Sequence, residues 1–153
     1  MAGSIKSQEV FSFLRPDQVN TISDAAQRMT VKAGDFVYKK GDKAEDFFVV
    51  LDGEVSLRLP SQGGLSLVID QVGKGDFFGG PLGHKRRAYA LSAQCTKKAK
   101  ILKIDVGVMK KLMEKDERMG LHLQRHVASA YFNRYVDTMK KLQAIVMNIP
   151  VEA

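Results

Sequence analysis

The chain has 153 residues, with 24 Lys plus Arg against 17 Asp plus Glu, a formal charge of +7, 44% apolar residues, one Cys and no Trp. A chain of this length buries roughly 68–70% of its unfolded surface, so one globular domain over 1–153 is expected without a metal staple, and a lone Cys95 excludes an internal disulfide. No apolar run approaches the ~18 residues that span a bilayer, and Met1 to Val10 lacks the basic start and apolar core of a signal peptide; a cytoplasmic, membrane-free protein is the expectation.

The first segment, residues 10–29, reads as helical. Val10, Phe11, Phe13 and Leu14 precede Pro16, and Val19, Ile22, Ala25, Ala26 and Met29 then recur at helical spacing. Pro16 suits a first helical position, so the spacing predicts a helix over Pro16 to Gln27. From 30 to 104 the pattern becomes short apolar runs cut by Gly and Asp. Val55, Leu57 and Leu59 alternate with polar neighbours, as do Leu65, Leu67 and Ile69 beyond the turn at 60–64, and Tyr89, Leu91, Ala93 and Cys95. About eight short strands with regular Gly turns predict a sandwich or barrel, not a βαβ sheet.

Residues 105–147 return to helical periodicity. Asp105 is an expected N-cap, with Val106, Met109, Leu112 and Met113 behind it. A longer helix is expected from Met119 to Met147, roughly 43 Å at 1.5 Å per residue. Its stripe of Leu123, Val127, Tyr131, Tyr135, Thr138, Leu142 and Ile145 is too long for one small barrel to cover. Its far half is therefore expected to meet a second chain, with Arg134 and Thr138 as imperfections in the seam. A helix folded back along its own domain is the alternative. With only residues 148–153 after Met147, no second domain is expected.

Several chemistry-bearing residues invite simple explanations. His122 and His126 share a helix face, but a zinc site takes three or four ligands, so two exposed histidines are expected. Cys95 reads as a small buried apolar residue with no activating neighbour. Gly73, Gly75 and Gly79 have the wrong spacing and surroundings for a dinucleotide fingerprint. No nucleophile, base and acid constellation stands out, so no enzyme is expected. Lys97, Lys98, Lys100, Lys103, Lys110 and Lys111 could attract nucleic acid. The densest basic run, however, is Lys85-Arg86-Arg87, which reads either as a phosphate pocket or as a solvated loop.

Five glycines, Gly34, Gly41, Gly53, Gly75 and Gly79, punctuate the strands. The strings Ala33-Gly34-Asp35-Phe36-Val37-Tyr38-Lys39-Lys40-Gly41-Asp42, Phe47-Phe48-Val49-Val50-Leu51-Asp52-Gly53-Glu54-Val55 and Gly75-Asp76-Phe77-Phe78-Gly79 resemble the cyclic nucleotide-binding domain family, from about Val10 to Leu123. The resemblance implies a mainly β fold, a jelly-roll β-barrel with an N-terminal helix and a long C-terminal helix. It also implies a phosphate-binding cassette that follows Phe-Gly-Glu and closes with Pro-Arg-Thr/Ser-Ala. There, small residues let backbone amides meet the anion, Arg neutralises it, and Glu holds the ribose hydroxyl.

On that pattern Phe78 and Gly79 match the opening and Arg87 matches the phosphate arginine. Gly80, Pro81 and Leu82 would supply backbone contacts, Ala88 takes the hydroxyl position, and Val68 and Leu91 would pack a base. The departures are Gly80 for Glu, Arg86 for Pro and Ala88 for Ser or Thr. Loss of a hydrogen bond to a charged acceptor costs on the order of 1.5–3 kcal/mol, a roughly tenfold to 150-fold loss of affinity. The resemblance thus implies a non-catalytic sensor for a phosphate-bearing ligand, a cyclic mono- or dinucleotide, that signals through its C-terminal helix to a second copy or a docked protein. No further cofactor and no metal are expected. Direct DNA binding is not expected, because no residues remain for a helix-turn-helix. A pseudo-receptor, a scaffold that has lost nucleotide binding, is the alternative.

Overall fold

The computed structural model describes residues 2–80 and 87–147. Its first elements are α1 (Ala2–Lys6), a 3-10 turn over Glu9–Phe11, and α2 (Pro16–Ala25). Pro16 lies in the first turn of α2, where a missing N–H costs nothing, and the Arg15 amide donates to Gln18 Oε1 at 3.0 Å. The helix ends two residues short of expectation. Ala26 to Val31 form β1 instead, with Ala26 opposite Ile104 and Val31 opposite Ala99. Continuous ladder pairing outweighs the helix preference of Gln27, Arg28 and Met29.

The remaining strands are β2 (Phe36–Tyr38), β3 (Asp46–Pro60), β4 (Ser66–Gly73), β5 (Phe77–Gly79) and β6 (Ser92–Asp105). They form one antiparallel sheet in the order β1-β6-β3-β4, with β2 added on β6 and β5 on β3. Among the described residues six strands stand where about eight were expected, and the rolled sheet does not close into a barrel. The cause is visible in β3. Register shifts between Val50 and Val55 bend β3, which runs as one long strand rather than as short ones. Gly53, at φ 93°, occupies the bend. A Cβ there would meet the Lys98 carbonyl and lie 2.7 Å from the Ala99 Cα, so only glycine fits.

Consecutive aromatics divide the interior into two cores. Phe47 and Phe77 stack at 5.2 Å on the helical side, among Phe11, Leu14, Ile22, Met109 and Leu123. Phe48 and Phe78 stack at 5.1 Å inside the roll, with Tyr38, Val50, Val55 and Ile101. The period-two reading accounts for this division. It fails in coverage on the β3–β4 hairpin, where Val55 and Leu57 are buried but Leu65 is 77% exposed and Leu59 and Leu67 are also open.

α3 (Val106–Lys115) begins at Asp105, whose Oδ1 accepts the Val108 amide at 3.0 Å, as expected of the cap. α4 (Glu117–Met147) follows. Asp116 Oδ1 accepts the Met119 amide at 3.0 Å, and Oδ2 accepts Gln18 Nε2 at 2.9 Å and Arg15 Nη1 at 3.2 Å. These donors, the Met119 amide first, hold the Asp116 carboxyl below its usual range, and the same knot ties α2 to the start of α4.

The stripe expected on α4 divides along its length. Leu123 and Val127 are buried and Tyr131 is half-buried, but Tyr135, Leu142 and Ile145 are exposed. Arg134 and Thr138 are not flaws in an outer seam. They are half-buried, and Arg134 pairs with Asp70 of β4. Among the described residues, no helix is long and apolar enough to cross a membrane.

Candidate functional site

The candidate cassette leaves the sheet at β5. Phe78 is fully buried in the roll, and Gly79 follows at φ 104°; a Cβ there would lie 2.6 Å from Phe48 Cδ2 and 2.9 Å from the Asp46 carbonyl oxygen. The Gly80 amide donates to the same Asp46 oxygen at 2.6 Å. A Cβ at position 80 would lie 2.6 Å from that oxygen and 2.8 Å from Val106 Cγ2. Gly80 is therefore more than a missing acid, since backbone and helix α3 occupy the space through which a glutamate side chain would leave. Pro81, Leu82, Lys85 and Arg86 lie outside the described residues.

The chain returns at Arg87. The Ala44 amide donates to the Arg87 carbonyl at 3.1 Å, Lys43 and Ala88 form a single antiparallel bridge, and the Tyr89 amide donates to the Asp42 carbonyl at 2.9 Å. Arg87, Ala88 and Lys43 are all exposed. Two exposed cations thus stand on segments joined by that bridge, where an anion would find both without desolvating either side chain fully. Leu91 packs against the roll core, whereas Val68 lies on β4 opposite Arg58, outside that cluster. The two apolar candidates are not brought to one place.

Tyr89 lies at the centre of this arrangement. Its side chain enters the roll and stacks on Tyr38 with ring centroids 3.6 Å apart and planes 12° apart. Its hydroxyl donates to the Asp46 carbonyl at 3.1 Å and accepts the Asp46 amide at 3.3 Å. Burial pushes the Tyr89 phenol up to about 12, against the pull of the Asp46 amide, and raises Tyr38 further. The Asp46 carbonyl therefore receives Gly80 from one side of the cassette and Tyr89 from the other. The signal was available: in the resembled pattern the residue after the hydroxyl position is alanine, and here it is Tyr89. A side chain of this size in that place fills the space that a small residue leaves open.

Other sequence candidates have structural roles. His122 stacks on Phe13 at 4.1 Å, and no group of three metal-binding side chains occurs among the described residues. Cys95 is buried, which raises its thiol pKa. Three of the four β6 lysines face acids across the sheet: Lys97 is opposite Glu54, Lys100 is opposite Asp52, and Lys103 pairs with Asp46 at 3.5 Å. Cross-strand charge matching accounts for much of that basic run.

Known proteins agree with this architecture. The sequence profile of the cyclic nucleotide-binding domain matches residues 28–116, more than half of the chain. A cGMP-dependent protein kinase of Drosophila melanogaster, isozyme 2 forms cD5/T2, is 32% identical over 76 residues, 49% of this chain and 8% of that one. A cAMP-dependent protein kinase regulatory subunit of Mycosarcoma maydis is 31% identical over 58 residues, 38% of this chain and 11% of that subunit. The chain thus spans only a small part of these curated relatives.

Among solved structures, the sensor domain of the transcriptional regulator DNR from Pseudomonas aeruginosa is similar at a TM-score of 0.74 with 14% identity, over 99% of this chain and 94% of that one. The c-di-GMP responsive global regulator CLP of Xanthomonas campestris is similar at 0.76 with 16% identity, over 88% of this chain and 66% of that one. At these identities the two structures support the fold alone. The profile match, the curated relatives and the glycine-punctuated roll agree, and the chain belongs to the cyclic nucleotide-binding domain family.

Proposed function

We propose that the chain is a non-catalytic regulatory module whose output is α4 and whose ligand is held by its phosphate at Arg87 with Lys43 beside it. The observation that carries the output half is the apolar outer face of α4. Leu121, Ala128, Phe132, Tyr135, Met139, Leu142 and Val146 are exposed and, with Arg125, follow alternating steps of four and three. That is the heptad spacing of a two-helix seam, distinct from the Leu123 and Val127 side that the roll already covers. A second copy of the chain is the partner this face fits, because a self-complementary strip satisfies both helices at once.

The ligand half rests on the paired cations at the rim and on family membership. Recognition through the ribose hydroxyl is weakened by Gly80, which leaves a phosphate-led mode open to cyclic mono- and dinucleotides. One observation favours a second reading: Tyr89 fills the roll, and a module filled by its own side chain acts as a scaffold. The two readings separate in calorimetric titrations with cyclic AMP, cyclic GMP and a cyclic dinucleotide on the wild type, Arg87→Ala and Tyr89→Ala. Wild-type binding that Arg87→Ala weakens at least tenfold supports the sensor. No wild-type binding at high micromolar nucleotide, with binding gained in Tyr89→Ala, supports the scaffold.

A further inference from the structure

The middle of α4 meets the sheet through an apolar contact, Tyr131 edge-on against Phe77 at 5.9 Å, and through one charged side chain. Arg134 is 19% exposed, and its Nε lies 3.2 Å from Asp70 Oδ2 of β4. Its Nη2 donates to the main-chain carbonyl of Phe77 in β5. The guanidinium also lies over the Phe77 ring at 5.1 Å and the Tyr131 ring at 5.5 Å. The fourth feature is a surplus: Nη1 is buried with no hydrogen-bond partner among the described residues.

We propose that Arg134 is a latch, a positioning residue that fixes α4 to β4 and β5 through contacts within the chain and thereby sets where the outer seam of the helix stands. The statement about the seam rests on the functional reading above; the latch does not. Apolar burial of Leu123 and Val127 holds the first half of α4 without fixing its rotation, because apolar contact is non-directional. A guanidinium bound to a carboxylate and a carbonyl in different directions fixes both rotation and register. The pair is partly withdrawn from water, so salt screens it less than a surface pair.

The latch also reaches the cassette. The carbonyl it holds belongs to Phe77, whose neighbour Phe78 is packed inside the roll and is followed by Gly79. Displacing β5 therefore pulls on Arg134, and displacing α4 pulls on β5, as reciprocal coupling requires. The unpartnered Nη1 keeps the arrangement short of the strength a fully satisfied guanidinium would have, which suits a contact that opens and closes.

Hydrogen exchange on the nucleotide-free full chain tests this, comparing the wild type with Arg134→Ala, Arg134→Lys and Asp70→Asn. The latch predicts that Arg134→Ala speeds exchange by about tenfold or more at 130–138 and 76–79, while the β1–β6 ladder stays unchanged. Asp70→Asn gives a smaller rise at the same places, and adding it to Arg134→Ala changes nothing further. Lys at 134 does not restore protection, since an ammonium cannot reproduce the guanidinium fork. Unchanged exchange in α4 and β5, or a rise shared equally by the β1–β6 ladder, overturns the latch. If Arg134→Ala does not fold, Asp70→Asn alone decides by the same criterion. Failure to bind nucleotide in the titrations above overturns the sensor reading and leaves this result standing.

Discussion

The inside of the roll and the outer face of α4 are both apolar, yet one is filled and the other is open. Inside the roll, Tyr38, Phe48, Phe78 and Tyr89 pack against one another, stacked or tilted, with centroids 3.6 to 6.0 Å apart. On distal α4, Phe132, Tyr135, Met139 and Leu142 are 63%, 60%, 46% and 51% exposed. The first region satisfies itself and gains its stability from folding. The second gains nothing from folding and invites association. The difference sets a packed interior at the candidate pocket against an open apolar face on the helix, with Arg134 between them.

The largest expected effect comes from emptying the filled region. Phe78→Ala should cost ~3–5 kcal/mol in chemical denaturation, because the roll closes from several sides and cannot collapse onto the void. A loss near that of a surface substitution would mean that the stacked aromatics are not a core. Gly80→Glu comes next. Forcing a side chain against the Asp46 carbonyl and Val106 should destabilise by about 1–3 kcal/mol and should not restore ribose recognition. Tighter cyclic AMP binding in a stable Gly80→Glu protein would show that backbone shifts easily make the room.

A pH experiment sharpens the same region. The fold favours neutral Tyr89, so its contribution is whole below the ordinary phenol value of about 10 and is lost as pH rises through about 12. Stability followed by denaturation should fall across that window, and Tyr89→Phe should make the fall shallower, the rest coming from Tyr38 and Tyr131, whose phenols burial also raises. A wild-type tyrosinate titration entirely at the ordinary value would place Tyr89 in water. The smallest effect on folding belongs to the open region: Leu142→Asp should change monomer stability by no more than about 0.5 kcal/mol. The same substitution should nonetheless turn a dimer into a monomer in light scattering. A wild type that is already monomeric at tens of micromolar removes the seam.

Much of this was legible in residues. Alternating Val55 and Leu57, the cap at Asp105 and the five turn glycines, all of which adopt positive φ, are local patterns with local causes. The family followed from the order of those glycines and strands. The site was only partly legible. Gly79, Gly80 and Arg87 could be named from the pattern, but Tyr89 reads in sequence as one more alternating apolar residue. Its meaning depends on Tyr38 and Asp46, which are more than 40 positions away. Arg134 likewise read as a defect in a stripe, because helical spacing cannot say which face meets the sheet.

By itself the sequence determined the succession of helix, strands and long helix, since periodicity, capping residues and glycine turns act over a few neighbouring residues. Only the tertiary structure decided that β3 is one bent strand, that the roll is filled by Tyr89 and that α4 is divided between an inner face that meets the sheet and an open outer one. Those outcomes depend on which distant atoms meet. A carbonyl at Asp46 or a carboxylate at Asp70 acquires its role only when the folded chain brings Gly80, Tyr89 or Arg134 to it.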